Sequence, residues 1–236
     1  MVTLILCSTL DDASMNLAHS LIQSTDWGDM EEYPHGRVRN HPRMPVQILE
    51  IDQLHIHAEG IDHAHTVETG EEIDEILVLS RHVSSSNTPA ITLHAIGLPG
   101  ETPLGAPGIA GGERGFVVPP SPRFSSLYRK MLELARDEGL HEEFDLTIET
   151  THHGPKLESP SLYIEIGSTE LEWNRKDVAA VWAMVFANDE DGLMDGFVHC
   201  LVLVLIRLLA WMGKLPKSLF VSLRCAFRLL CPCNSR

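Results

Sequence analysis

The sequence predicts an α/β fold in which a central mixed sheet is flanked by helices. Short apolar or β-branched runs, typical of strands, alternate along the chain with longer segments whose apolar residues recur at helical spacing. With 236 residues and 44% apolar content, the chain is long enough to bury one substantial core. We therefore expect a main domain over residues 1–188, followed by a tail of different character over residues 189–236.

The first part of the chain is expected to contain strands and one helix. Residues 1–7 are apolar, have no basic lead and are followed at once by acidic residues, so they predict a buried strand and not a signal peptide. A helix follows, with Asp11 or Asp12 as its cap. Residues 26–45 contain glycine, proline and many charges, which predict a loop. The next strands are expected at Val46–Ile51 and over residues 73–79 and 90–96.

A long loop and a helix come next. Residues 97–122 hold seven glycines and six prolines in 26 residues, too many for a regular element. A structureless stretch of this length inside a compact domain is usually functional or mobile. The helix after it is expected to have Ser121 as its cap and Pro122 at its first position, and to stop at Gly139.

The last strands of the domain frame its most distinctive loop. Apolar residues alternate over residues 144–150 and again over residues 162–166, which predicts a strand on either side of the loop 151–160. Thr169 and Glu172 have the spacing of a capping box, which predicts the start of the final helix.

The charges are distributed unevenly. All 33 acidic residues lie at or before Asp195, whereas six basic residues and no acidic residue follow it. An acidic body repels polyanions at long range and is not expected to bind nucleic acid non-specifically. Any RNA partner must therefore be met at a local basic patch, a metal or a terminal segment. The body contains one cysteine, Cys7, so no disulfide framework is expected and the context is reducing and cytoplasmic.

Histidines are frequent, and several fall at the ends of predicted elements, where they could bind a metal or carry a proton. Neighbours in an extended chain point to opposite sides, so of His152 and His153 we expect one to be a ligand and the other a base or supporting donor. In a simple hairpin, His82 and His94 would lie about 13 Å apart and could not share a metal. The alternatives are solvent-facing loop histidines, a polar strand end and a core histidine.

Two other features leave their function open. Glu165 lies on the opposite side of its strand from its apolar neighbours, so it is either solvated or paired with a cation or metal, because burying it alone is costly. The pairs His55 and His57, and His63 and His65, would each share one face of a strand and could chelate a metal. Otherwise they form a polar edge.

Three motifs together resemble the archaeal and plant type of D-aminoacyl-tRNA deacylase. They are Ser80-Arg81-His82, Thr151-His152-His153-Gly154-Pro155 and Glu165-Ile166-Gly167-Ser168-Thr169. The match is close over residues 80–97 and 144–180. Several motifs in one order are more specific than any single histidine pair.

The resemblance implies a zinc-dependent hydrolase that cleaves the ester joining a D-amino acid to the 3′ end of tRNA, on a fold similar to those of phosphorylases and peptidyl-tRNA hydrolases. Plant members of that family are also linked to removal of aldehyde-derived adducts on D-aminoacyl ends. By the same resemblance, His82, His94, His152 and Glu165 are metal ligands, Arg81, His82, His152 and His153 are catalytic, and Ser80, Asn87, Gly167, Ser168 and Thr169 bind substrate. A zinc-bound water could supply the nucleophile while the metal or Arg81 neutralises the developing charge.

The resemblance ends near residue 188. The tail beyond it is apolar and basic, and we expect it to form loosely packed helices that do not belong to the family's fold. Arg207 interrupts its apolar run, so membrane association is not the favoured interpretation. The alternative to an active deacylase is an inactive truncated isoform, or one associated with a membrane or partner.

Overall fold

Eight strands form one mixed sheet in the computed structural model, which describes residues 1–99 and 110–187. The elements in chain order are β1 (Val2–Ser8), α1 (Asp12–Ser24), β2 (Met30–Tyr33), β3 (Gly36–Asn40), β4 (Val46–Ile51), α2 (Ile61–Thr69), β5 (Ile73–His82), β6 (Ala90–His94), α3 (Phe124–Asp137), β7 (Asp145–Ile148), β8 (Ser161–Gly167), α4 (Glu170–Trp173) and α5 (Lys176–Ala187). The strand order is β2-β3-β4-β1-β5-β8-β6-β7. The predicted α/β fold with a central mixed sheet flanked by helices is confirmed.

The sheet has a buried apolar cluster on each face. On one face, residues of α1, α3 and α5 such as Leu17, Leu127 and Val181 pack on alternate strand residues, including Leu77 and Leu79 of β5. On the other face, the intervening residues of the same strands form a second cluster with Ile61 of α2. Both faces are covered, so the parallel strands at the centre are mostly apolar on both sides. β1, the predicted buried first strand, is buried along its whole length.

Two predicted caps are confirmed. Asp11 accepts a hydrogen bond from Ser14 N at 2.9 Å and caps α1. Thr169 and Glu172 form a capping box, although the helix that it starts is the four-residue α4, and α5 begins separately at Lys176.

Two local predictions are wrong. Residues 26–45 are not only a loop, because β2 and β3 form an antiparallel hairpin at the edge of the sheet, where a strand carries charge on its solvated side. Helix α3 begins at Phe124 and has no side-chain cap. Ser121, the predicted cap, instead donates to the buried Glu75 carboxylate at 2.5 Å and accepts from Arg123 N at 3.1 Å.

The connection between β5 and β6 is not a hairpin. β8 lies between them, parallel to β5 and antiparallel to β6. Glu165 of β8 is therefore in register with Ser80 on one side and Thr92 on the other. This arrangement places the end of β5 and the end of β6 on either side of one central strand.

The predicted tail, residues 189–236, lies outside the described residues, as do residues 100–109 of the predicted long loop. The described parts of that loop form isolated bridges and no helix or strand. Among the described helices, none combines the length and the apolar character that crossing a membrane requires.

Candidate active site

Glu165 lies at the centre of a cluster of ionisable side chains on the sheet face opposite α1, α3 and α5. The residue is 3% exposed. Its Oε1 lies 3.5 Å from His94 Nε2, and its Oε2 lies 3.5 Å from His82 Nδ1. One carboxylate thus joins histidines from two strands that do not pair with each other. Of the two alternatives that the sequence left open for Glu165, solvation is wrong and pairing is confirmed.

His82 has a second carboxylate partner. Its Nδ1 lies 2.9 Å from Glu149 Oε1, just beyond the end of β7. Burial by itself lowers the pKa of His82, but the hydrogen bonds and charges of Glu149 and Glu165 outweigh it and raise that pKa to about 9. His82 therefore holds a proton at neutral pH.

Three other imidazoles, those of His94, His152 and His153, form a compact group. The ring centroid of His94 lies 4.7 Å from that of His152 and 4.8 Å from that of His153, and the latter two are 4.5 Å apart. One ring nitrogen from each lies within 4.8 Å of the other two. We call these residues the imidazole triad.

Each member of the imidazole triad bonds to a backbone carbonyl through Nδ1. His94 donates to Ala95 O at 2.9 Å, His152 to Thr150 O at 2.8 Å and His153 to Gly154 O at 2.8 Å. A carbonyl oxygen only accepts hydrogen bonds, so Nδ1 carries the proton in each ring. A neutral imidazole then has its lone pair on Nε2, which is the arrangement found in histidines that bind metals.

The pKa shifts differ among the members of this cluster. Burial and the charges of His94 and His152 lower the pKa of His153 to about 3. Burial would raise the pKa of Glu165, but the neighbouring His94 and His82 hold it well below its usual range. Burial lowers the pKa of His94 and Glu165 raises it, with a net upward shift.

The loop that carries His152 and His153 brings both rings to the same side, so the expectation that their side chains diverge is wrong. The strand β7 ends at Ile148, and residues 149–157 have no regular structure that would impose alternation. A Cβ on Gly154 would lie 2.3 Å from Gly112 N, so this close contact requires glycine. The Glu59 carboxylate accepts from Gly112 N and Lys156 N, both at 2.5 Å, and ties the two loops together.

A cavity of about 520 Å³ opens beside this cluster. His82 and Glu149 form part of its wall, and the hydroxyl groups of four residues and the Asp145 carboxylate make most of the rest polar. The lining residues are His82, Ser84, Ser86, Thr88, Ala90, Asp145, Leu146, Thr147 and Glu149. The cavity is therefore large enough for a small polar ligand and gives it access to the protonated imidazole.

The other residues that the resemblance assigned to the site lie around this cluster. Arg81 directly precedes His82 and points to the opposite side of β5, with its guanidinium 5.3 Å from the centre of the Trp173 ring. Gly167 packs against the backbone of His82, and Ser168 Oγ donates to Thr88 O at 2.6 Å. The structure brings His82, His94, His152, His153 and Glu165 together. Ser80 is in register with Glu165, and Asn87 and Thr169 lie in the connections that follow β5 and β8.

The two histidine pairs at residues 55–65 are not on a strand. His55 and His57 form a 3-10 helix, and His63 and His65 lie in α2, where residues two apart point in different directions. Among the described residues, none of the four belongs to a candidate metal group. The strand prediction is wrong because β4 ends at Ile51, and the residues after it form a 3-10 helix and then α2.

Sequence reasoning missed two members of the cluster. Glu149 is a carboxylate three residues before the histidine pair. Tyr163 is two residues before Glu165 on β8, so the two side chains share one face of that strand. Neither signal identifies a partner without the strand order. Both residues contact histidines of the cluster.

Two groups of described residues offer a set of ligand atoms for a metal ion. One is the imidazole triad, and the other is His82, Glu149 and Glu165. His94 Nε2 is buried, lies 3.5 Å from Glu165 Oε1 and makes no hydrogen bond among the described residues, so it can serve as a metal ligand. The donor chemistry and this buried atom fit a zinc ion at the triad.

Comparison with known proteins gives a consistent result. A family model described as D-aminoacyl-tRNA deacylase matches residues 69–199. A D-aminoacyl-tRNA deacylase of Arabidopsis thaliana is 36% identical over 189 residues, which cover 78% of this chain and 58% of the relative. A D-aminoacyl-tRNA deacylase of Methanococcoides burtonii is 34% identical over 188 residues, which cover 78% of this chain and 37% of the relative.

A solved structure has the same fold. It is described as a conserved protein of unknown function, AF0625, and superposes with a TM-score of 0.67 at 29% sequence identity. The match covers 78% of this chain and 61% of that chain. This chain therefore spans less than two thirds of the length of each of the three relatives.

Proposed function

The chain belongs to the D-aminoacyl-tRNA deacylase family, and we propose that it hydrolyses the ester bond between a D-amino acid and the 3′ end of tRNA. The reaction releases the free amino acid and the tRNA, in the cytoplasm, and extends to D-aminoacyl ends modified by aldehydes. The observation that supports this proposal best is the imidazole triad, in which one ring nitrogen from each histidine lies within 4.8 Å of the other two, and in which each Nδ1 donates to a backbone carbonyl.

The metal in this proposal is zinc, held by His94, His152 and His153 through Nε2. Three histidines with an open fourth position form a common catalytic zinc site. The backbone carbonyls that accept from the three Nδ1 atoms fix the orientation of the rings. When bound, zinc supplies Lewis acidity and lowers the pKa of a water molecule, which ester hydrolysis at neutral pH requires. His82 and Glu165, assigned to the metal by resemblance, belong here to the adjoining group.

His82 handles the proton in this proposal. Its raised pKa of about 9 keeps it protonated at neutral pH, and it forms part of the cavity wall. It donates this proton to the ribose oxygen that leaves when the ester is cleaved. Glu149 and Glu165 hold the imidazole from one side and stabilise its charge.

The cavity receives the aminoacyl end of the tRNA. Its volume of about 520 Å³ is in the range of small-ligand sites. A site that engages only the terminal aminoacyl group avoids long contacts between the tRNA backbone and an acidic protein body. The substrate is thus bound through its last residue and not through its phosphates.

The test is stereospecific release of the amino acid. Full-length chain is incubated with tRNA charged with D-tyrosine or with L-tyrosine, and the free amino acid is measured over time. We expect D-tyrosine to be released at least tenfold faster than L-tyrosine. A His153→Ala variant should lose this activity, whereas His19→Ala, at an exposed position of α1, should keep it. Equal hydrolysis of both esters, or none by the wild-type chain, contradicts the proposal.

A further inference from the structure

Tyr163 of β8 packs between two members of the imidazole triad. It is fully buried and lies directly opposite His94 in the antiparallel pairing of β6 and β8. Its ring stacks on that of His94, with centroids 4.9 Å apart and planes 7° from parallel. It meets the ring of His153 edge to face, at 4.6 Å and 85°. Both are geometries that aromatic pairs prefer, so one side chain orients two candidate ligands.

The hydroxyl group of Tyr163 adds a second restraint on His153. It donates to Gly154 O at 3.1 Å, and the same carbonyl accepts from His153 Nδ1 at 2.8 Å. A carbonyl oxygen has two lone pairs and can accept both bonds. The tyrosine therefore fixes the acceptor that in turn fixes which nitrogen of His153 faces the metal position.

His55 and Asp11 hold the tyrosine from behind. His55 Nδ1 lies 3.2 Å from the Tyr163 hydroxyl, and His55 Nε2 lies 3.2 Å from Asp11 Oδ2. The same carboxylate oxygen accepts from Arg81 N at 3.1 Å. His55 and Asp11 are 3% and 1% exposed, so each of these polar groups would be costly to leave unpaired.

Asp11 makes this chain of contacts rigid. Its other oxygen caps α1, and its bond to Arg81 N anchors it at the end of β5, next to His82. A series of contacts thus links the start of α1 to the loop that carries the histidine pair, through Asp11, His55, Tyr163 and Gly154. A phenylalanine would fill the same space in the core as Tyr163, so packing alone does not account for the hydroxyl and its buried partners.

We propose that Tyr163, held by His55 and Asp11, is a positioning residue that sets the orientation of His94 and His153 for metal binding. The metal-binding part of this inference rests on the proposed function, whereas the positioning of the two histidines is argued from the buried contacts of Tyr163. Removing the hydroxyl leaves the ring in place and frees the Gly154 carbonyl and the loop that carries His153. Loss of such supporting contacts typically weakens metal affinity by roughly ten- to a hundredfold.

The test compares two substitutions of the same chemistry in the full chain. Tyr163→Phe removes the proposed restraint. Tyr128→Phe removes the hydroxyl of a tyrosine on α3, which packs on the other face of the sheet and donates to Leu146 O at 3.4 Å. Zinc affinity is measured by competition with a chromogenic chelator, and folding by circular dichroism. We expect the zinc dissociation constant to rise roughly tenfold or more in Tyr163→Phe and to stay unchanged in Tyr128→Phe. Wild-type affinity in Tyr163→Phe overturns the inference.

A measurement on the metal-free protein separates this inference from the proposed function. Nitrogen-detected NMR of the imidazoles reports the hydrogen-bonded Nδ1 protons of the triad, and we expect the His153 signal to broaden or shift in Tyr163→Phe and not in Tyr128→Phe. If the wild-type chain binds no zinc, the zinc proposal fails and this spectrum still decides the positioning role. Should Tyr163→Phe not fold, His55→Gln, which removes the partner of the hydroxyl, is read in the same way. Unchanged spectra overturn the inference.

Discussion

His82 and His94 approach opposite oxygens of one carboxylate, each at 3.5 Å from Glu165. The two histidines belong to strands on either side of β8, and neither contact exists without that strand between them. Glu165 therefore couples the imidazole triad, which we propose binds zinc, to the imidazole that we propose carries the proton. A change at this carboxylate should affect both functions together.

Glu165→Gln tests this coupling. The amide keeps the size of the side chain but removes its charge, so we expect the pKa of His82 to fall below about 9, and deacylation to fall at least a hundredfold. Loss of charged partners in a buried cluster should lower the free energy of unfolding by about 1–3 kcal/mol. Imidazole NMR titration and denaturant unfolding measure these effects. The control is Glu133→Gln, an exposed carboxylate in a surface ion pair with Lys130, which should change neither. An unaltered His82 titration in Glu165→Gln would contradict the coupling.

Alanine substitutions at His152 and His153 should separate activity from stability. Both side chains lie on a loop and add little to the core, so each variant should lose at least a hundredfold in deacylation and about 1–2 kcal/mol or less in stability. His153→Ala should cost more stability than His152→Ala, because only His153 packs on Tyr163. Steady-state kinetics and chemical unfolding provide the comparison, with His19→Ala as the control. Equal loss of fold and activity would show that the loop histidines are structural.

The pH dependence of stability follows from the His82 pKa in the metal-free protein. Its pKa in the folded state, about 9, is above its ordinary value of 6.5. Protonated His82 therefore stabilises the fold fully below about pH 6.5, and this contribution is lost as the pH rises through about 9. Unfolding free energies at pH 6, 8 and 10 should fall along this series. Glu149→Gln should flatten the decline, since it removes a partner that raises the pKa, and an unchanged slope in that variant would refute the assignment.

Gly167→Ala tests the contact between β5 and β8 beside the cluster. A Cβ at Gly167 would lie 2.3 Å from His82 O, and backbone atoms must move to make room. We expect a loss of about 1–3 kcal/mol in stability and a displaced His82. Gly28→Ala, where the nearest atom would be 3.2 Å away, should cost less than about 1 kcal/mol. Denaturant unfolding of both variants distinguishes a specific contact from a general effect of replacing glycine, and equal small costs would contradict it.

The sequence predicted most of the fold because its strands and helices have strong local patterns. Buried strands such as Val2–Ser8 are continuous apolar runs, and Asp11 and the Thr169 capping box are signals carried by a few neighbouring residues. The edge strands Met30–Tyr33 and Gly36–Asn40 were missed because they form by pairing with each other and, through the second of them, with β4, and not by a local preference.

The site was predictable only in part, for a different reason. The family resemblance identified His82, His94, His152, His153 and Glu165, but their division into two groups depends on β8 lying between β5 and β6. A hairpin, the simplest connection across Ser84 to Asn87, gives the wrong distance between His82 and His94. Long-range strand order is set by the whole core, so no local pattern shows that Glu149, Tyr163 and His55 meet the motif residues.

The central claim is that the imidazole triad holds a zinc ion that the deacylase activity needs. The most direct measurement is hydrolysis of D-tyrosyl-tRNA by the full chain after removal of metal with a chelator, before and after zinc is restored, in wild type and in His153→Ala. We predict that the chelated wild type loses activity and regains it with one added zinc per triad, while His153→Ala stays inactive at the same zinc concentration. Full activity in the chelated wild-type protein, confirmed metal-free by elemental analysis, would contradict the account.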